Sequence, residues 1–147
     1  MLAEALVCLA LNAYHEARNQ NVRGMIAVSQ VVMNRVESQH FPDNVCDVIF
    51  QGPHRKSWAD PEKMVPLRDR CQFSWYCDGK SDEPHEEQAW ETSILIARGI
   101  LSNSIDNSVG NSLWYHADYV EPDWASEKQE YVTIGNHIFY EIKGEDK

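Results

Sequence analysis

The chain reads as a single domain, mainly α-helical, with a small β-sheet near its C-terminus. Three observations predict this. Apolar residues recur at helical spacing through three long segments of the first hundred residues. Short alternating stretches flank a Gly135-Asn136 turn close to the end. At 147 residues and 43% hydrophobic content the chain can bury one core, and no Gly/Ser-rich or Pro-rich linker divides it.

In the opening helix, Leu2, Leu6, Leu9, Ala13 and Ala17 form one stripe, while Val7, Leu11 and Tyr14 cover a second sector. A helix this apolar all round belongs inside the protein. It stops at Arg18-Asn19-Gln20-Asn21, and Glu16 projects beside the first stripe, one turn beyond Asn12. A second helix, capped by Asn19 or Asn21, runs through Val22, Ile26, Ser29, Val32, Met33 and Val36; its β-branched residues weaken its propensity, so burial must compensate. After His40-Phe41-Pro42, a short helix starts at Asp43 or Asn44, passes through Val45, Val48 and Ile49, and is ended by Gly52-Pro53.

Residues 52–70 read as a loop with three prolines and scattered charges, and a loop of that length in a small domain points to function. Phe73 and Trp75 then alternate with Gln72 and Ser74, the pattern of a strand with one buried face. The next helix is expected from Asp82-Glu83-Pro84 through Trp90, Ile94, Ala97 and Leu101, with Gly99 costing it some stability. Ser112-Leu113-Trp114-Tyr115-His116 is extended, and Tyr131–Ile134 with His137–Tyr140 form a two-residue hairpin.

A formal charge of −10 argues against nucleic-acid partners, which need clustered Lys and Arg. An acidic chain also gains nothing from general attraction to anionic polymers or lipid head groups, so ligand capture rests on local contacts. No run reaches the eighteen apolar residues of a membrane span. Met1 to Leu11 is apolar but carries Glu4 and lacks a basic leader, so it reads as structural helix rather than a secretion signal. The expectation is a monomer made in the cytoplasm. Cys8, Cys46, Cys71 and Cys77 match no zinc spacing; in that compartment free buried thiols are expected, with a Cys71–Cys77 bridge as the alternative under oxidising conditions.

Glu16 carries the chemistry. A carboxyl group beside an apolar stripe loses hydration, which raises its pKa and keeps a proton available for acid catalysis, as in a glycosidase acid. The plainer alternative is a solvated glutamate at a helix end.

Seven blocks in order resemble one family: Tyr14-His15-Glu16-Ala17-Arg18, Gly24 to Val36, Phe41 to Gln51, Cys71 to Gly79, Trp114-Tyr115-His116-Ala117, Pro122-Asp123-Trp124, and Ile134 to Tyr140. The chain is similar over nearly its whole length to the SleB-type cell-wall hydrolases, the spore-cortex-lytic enzymes and their phage relatives. The resemblance implies a lysozyme-like (α+β) domain; spore-lytic members also carry a peptidoglycan-binding module, and residues 1–147 are expected to form the catalytic domain alone, with no separate wall-binding module. It implies a lytic transglycosylase that cleaves the MurNAc–GlcNAc bond of peptidoglycan, with Glu16 as the catalytic acid and no cofactor. One departure is the Asn19-Gln20-Asn21 stretch, where the family continues with a Gly-Glu type sequence. A chain starting at its own Met1 looks more like a phage endolysin than a spore protein.

Candidates for binding glycan strands are Gln72, Ser74, Tyr115 and His116 as hydrogen-bonding groups and Trp75, Trp124 and Tyr140 as stacking faces. Core packing is the competing role for Trp75, and Phe139 reads as core. His137 reads as structural, and Arg18 and Arg35 are expected to bind away from Glu16, because a near arginine would lower its pKa. A hydrolytic muramidase would need Asp47, Asp78 or another acid across the cleft. A zinc amidase would use His15, His116 and His137, although His-Glu-x-x-His is missing. A non-catalytic module would use the five tryptophans for stacking alone.

Overall fold

The structure, a computed structural model, describes residues 4–144, so Leu2 of the predicted stripe lies outside the described residues. Helix α1 (Glu4–Ala17) runs through the middle, packed by α2 (Val22–Glu37), α3 (Val45–Ile49) and α4 (Glu87–Leu101). Leu9, Ala10, Ala13 and Tyr14 on α1 are fully buried, as are Val28, Val31 and Val32 on α2. Burial thus supplies what the β-branched run of α2 lacks in propensity, and truncating Leu9 to alanine would cost about 2–5 kcal/mol.

Of the two candidate caps of α2, Asn21 serves: its side chain accepts from Gly24 N at 3.1 Å. Asn44 caps α3 through Asp47 N at 2.9 Å. Helix α4 begins at Glu87, later than its sequence suggests. The stretch before it is held along the end of α1 instead. Asp82 O meets His15 Nε2 at 2.8 Å, Glu86 N donates to the Tyr14 hydroxyl at 3.0 Å, and Arg18 pairs with Glu86 at 3.7 Å. These tertiary bonds outweigh the helix-starting preference of Pro84. Gly99 has a purpose on α4, because a Cβ there would lie 2.4 Å from Ile105 Cδ1.

The 52–70 segment is not all loop: β1 (His54–Lys56) and β2 (Met64–Pro66) pair as an antiparallel hairpin. Nor do residues 72–75 form a strand. Ser74–Cys77 makes a 3₁₀ turn that buries Phe73, Trp75 and Cys77. The second sheet has the order β3-β5-β4, with β3 (Trp114–Ala117), β4 (Gln129–Ile134) and β5 (His137–Glu141) antiparallel. The β4–β5 turn is Gly135-Asn136, with Gly135 at φ 57° as such a turn requires. A second 3₁₀ turn, Asp123–Glu127, precedes β4.

The expectation of free thiols is overturned. Cys8–Cys46 ties α1 to α3, and Cys71–Cys77 clips the base of the first 3₁₀ turn. The second was the alternative pairing; the first joins segments whose proximity depends on how α1 and α3 pack. Among the described residues no helix is long and apolar enough to cross a membrane.

Candidate active site

Two side chains of α2 dock the sheet onto the helices. Asn34 Nδ2 donates to Gly110 O and Ser112 O at 2.9 Å each, and Arg35 Nε donates to Leu113 O at 2.7 Å. These bonds set the entry of β3, whose second residue, Tyr115, then faces the end of α1. Its hydroxyl donates a short hydrogen bond to Glu16 Oε1. The Tyr115 ring is held by Phe139, 5.4 Å away, and by the edge of His137 at 5.3 Å.

Loss of hydration raises the Glu16 pKa, opposed by the Tyr115 hydrogen bond and the nearby Arg35 charge. Burial likewise pushes the Tyr115 phenol well above its ordinary value, with the Glu16 charge and hydrogen bond adding to the rise, so Tyr115 stays a neutral donor. Arg35 is only 2% exposed, its guanidinium lying 4.7 Å from the Phe41 ring centroid and 5.3 Å from that of Phe73. Burial lowers its pKa while Tyr115 and Glu16 favour its charge. The expectation that Arg35 lies out of reach is therefore corrected: it acts on Glu16, but desolvation dominates and the acid keeps its raised pKa. Arg18 does bind elsewhere, to Glu86 and to the Tyr14 hydroxyl at 3.0 Å.

Two clefts meet at Glu16. One, of about 300 Å³, extends past Asn19, Gln20, Tyr119, Asn136 and His137. The other, of about 350 Å³, extends past Ser74, Trp75, Asp78, Lys80, Glu83 and His85. Both are lined by His15, Glu16 and Arg18, so the two clefts adjoin at the C-terminal end of α1, around Glu16.

The expected site residues separate into two groups. Glu16, Ser74 and Trp75 line the groove, and Tyr115 stands behind Glu16, reaching it through its hydroxyl without lining either arm. Trp75 is 7% exposed, donates its indole N–H to Asn12 Oδ1 at 2.9 Å and stacks on His15 at 4.6 Å, so it is a wall whose ring face is already covered. His116, Trp124 and Tyr140 cluster on the opposite face of the sheet: His116 Nε2 lies 2.7 Å from the Tyr140 hydroxyl, and Trp124 packs 5.6 Å and 5.4 Å from their rings. The reason is the pleat, which turns neighbours Tyr115 and His116 to opposite sides. Gln72 is exposed beside the first 3₁₀ turn, its backbone N–H bonded to Gln51 O at 2.9 Å.

His137, read as structural, lines the groove, and its Nδ1 is buried without a partner among the described residues. Asp47 does not reach the groove. It sits on α3, bonded to its own cap residue Asn44 at 2.6 Å. The three histidines of the zinc reading do not converge, because His116 lies beyond the sheet. Among the described residues no group of three His, Cys, Asp or Glu side chains is placed to hold a metal ion.

Groove residues that the sequence did not mark as site residues include Lys80, His85 and Tyr119, together with Gln20 and Asn136, which it marked only as turn positions. They stand in turns and connections, where no periodicity marks them. The Asn19-Gln20-Asn21 departure is built in: Gln20 Oε1 accepts from Asn136 N at 3.4 Å, and its side chain fills the space that Gly24 and Gly135 leave open.

A helical core clasping a small sheet, with one shielded glutamate at their junction, is the architecture of a lysozyme-like domain. The chain belongs to the Cell Wall Hydrolase family, whose sequence profile matches residues 19–140, beginning just after Glu16. It is 30% identical over 131 residues to a spore cortex-lytic enzyme of Halalkalibacterium halodurans, covering 89% of this chain and 33% of that protein. A spore cortex-lytic enzyme of Bacillus subtilis is 29% identical, with 90% of this chain and 36% of that protein covered. The chain thus spans about a third of the length of these relatives. Its fold matches the catalytic domain of the germination-specific lytic transglycosylase SleB from Bacillus anthracis, with a TM-score of 0.65, 25% identity and 95% and 97% of the two chains covered. The catalytic domain of the Bacillus cereus SleB protein gives 0.62 at 26% identity, with 96% and 93% covered.

Proposed function

We propose that the chain is a lytic transglycosylase that cleaves the MurNAc–GlcNAc bond of peptidoglycan and leaves 1,6-anhydro-MurNAc ends. The observation that carries this reading is the Glu16 carboxyl, stripped of water and held by Tyr115 where the two clefts adjoin. A linear polymer can lie across such a group with sugars in both arms. The Bacillus anthracis relative bears the name of this activity.

Protonated Glu16 gives its proton to the glycosidic oxygen as the C1–O bond breaks. The resulting carboxylate is stabilised by the Tyr115 hydroxyl and the Arg35 charge, the two influences that oppose its raised pKa. The C6 hydroxyl of the same muramic acid then attacks C1, and Glu16 takes that hydroxyl proton. The ring closes, no water is consumed, and Glu16 ends protonated for the next turnover. Desolvation makes the group an acid; the tyrosine and arginine make its conjugate base tolerable.

A hydrolytic outcome is the second reading, because it calls for a second acid in the groove and Asp78 and Glu83 line it. Digestion of purified peptidoglycan by the wild-type chain and by Glu16→Gln, with mass spectrometry of the sugar termini, decides between them. Anhydro ends lost in Glu16→Gln support transglycosylation; reducing ends overturn it. The setting we propose is an endolysin-type role at the bacterial wall, as a monomer. Two disulfides suit work outside a reducing cytoplasm.

A further inference from the structure

No residue of the β1–β2 hairpin lines the groove, yet the hairpin is built to present a surface. Trp58 at its tip is 87% exposed and Met64 60% exposed. Arg55 covers one side of the indole, its guanidinium carbon 4.0 Å from the ring centroid, which leaves the other side to solvent. Lys56 lies opposite Met64 in the register, also exposed. The tip is ordered: Ser57 Oγ accepts from Ala59 N and Asp60 N at 3.3 Å, Ser57 N donates to Lys63 O at 2.8 Å, and Lys63 N to Asp60 O at 2.9 Å. An exposed tryptophan on an ordered tip is pre-organised for contact.

Charge indicates what the tip meets. Residues 54–70 hold five of the chain's thirteen Lys and Arg against three Asp and Glu, in a protein of net charge −10. On the hairpin itself Arg55, Lys56 and Lys63 stand against Asp60 and Glu62, a small positive excess on an otherwise acidic molecule. The patch is fastened to the groove wall, since His54 Nε2 lies 3.3 Å from the Tyr76 hydroxyl and Asp69 N donates to Cys77 O at 2.8 Å. Arg68 lies over Gly79, where a Cβ would come within 2.8 Å of its guanidinium, and the flanking Asp78 and Lys80 line the groove.

We propose that this hairpin is a docking surface for the peptide stems of the peptidoglycan strand whose sugars occupy the groove, with Arg55, Lys56 and Lys63 meeting stem carboxylates and Trp58 lying against the stem. The proposal rests on the transglycosylase reading. It explains how an acidic protein holds a polyanionic wall: the local patch attracts where the whole molecule would repel. The stem supplies carboxylates beside the glycan, so one strand engages both sites.

The test is sedimentation of the Glu16→Gln protein, which leaves the polymer whole, with teichoic-acid-free sacculi before and after an amidase removes the stems. Two hairpin variants are compared in that background, Trp58→Ala and the pair Lys56→Gln with Lys63→Gln. Each should bind intact sacculi about fivefold or more weakly, with the difference vanishing at high salt for the lysine pair. On stem-free glycan, variants and parent should bind alike. Equal binding to intact sacculi overturns the proposal, as does a deficit that persists on stem-free glycan. So does hairpin-dependent binding to purified teichoic acid or anionic phospholipid vesicles in place of sacculi. Sugar termini released by the unmutated catalytic chain report separately on the transglycosylase reading, so the two failures are distinguishable.

Discussion

The hydroxyl of Tyr115 on β3 donates to Glu16 Oε1 at the end of α1, linking residues 99 apart in sequence. This bond is where sheet meets helix and where the acid is tuned. Tyr115 stays neutral and donates, so it keeps its bond to Glu16 in either protonation state of the carboxyl, as the proposed mechanism requires.

Replacing Tyr115 by phenylalanine removes a bond that favours the carboxylate, so the Glu16 pKa should climb further. The basic limb of the pH–rate profile should move to higher pH, with the rate down about tenfold as the carboxyl loses its orientation. A limb displaced to lower pH would contradict the tuning described above.

Glu16→Gln should reduce strand cleavage by about 10²- to 10⁴-fold while preserving size. Its effect on stability has a definite sign. A carboxyl whose folded pKa lies above its unfolded value stabilises the fold below the unfolded value and loses that contribution as pH rises through the folded one. The amide has no such loss, so the variant should melt higher than the parent at pH 7 and show no gain at pH 4. Thermal melts at both values check this.

Arg35→Met deletes a buried cation that lowers the Glu16 pKa and holds Leu113 O at 2.7 Å. The basic limb should again move upward. Urea unfolding should show a loss of about 2–4 kcal/mol, because Leu113 O is left without its donor and the contacts over Phe41 and Phe73 disappear. Arg35→Lys should restore the charge but not the forked geometry, recovering the pH profile better than the stability.

The two disulfides should separate stability from activity. Cys8–Cys46 spans 38 residues and Cys71–Cys77 six, so chain entropy gives about 4 kcal/mol for the first and about 2 kcal/mol for the second. Cys8→Ala with Cys46→Ala should therefore lower the melting temperature more. Cys71→Ala with Cys77→Ala should lower activity out of proportion, since the clipped segment carries Ser74, Trp75 and Asp78 into the groove wall. Equal activity losses per unit of lost stability would refute that division.

Much of this protein was legible in its residues alone. Helical spacing located α1, α2 and α3, the asparagine caps marked where α2 and α3 begin, and Gly135-Asn136 marked the closing hairpin, because these depend on neighbours three to five positions away. The raised pKa of Glu16 followed from the apolar stripe beside it. Tertiary contacts decided the rest. Alternation along β3 says that Tyr115 and His116 face opposite ways, but only the pairing with β5 and the docking of Asn34 and Arg35 send Tyr115 to the acid and His116 to Trp124 and Tyr140. Likewise Pro84 is sound helix-starting chemistry, overruled by Tyr14, His15 and Arg18 drawing residues 82–86 along α1. Local propensities are worth tenths of a kilocalorie to about one, whereas a buried polar group left unpaired costs about 1–3 kcal/mol, so where the two conflict the long-range partner prevails.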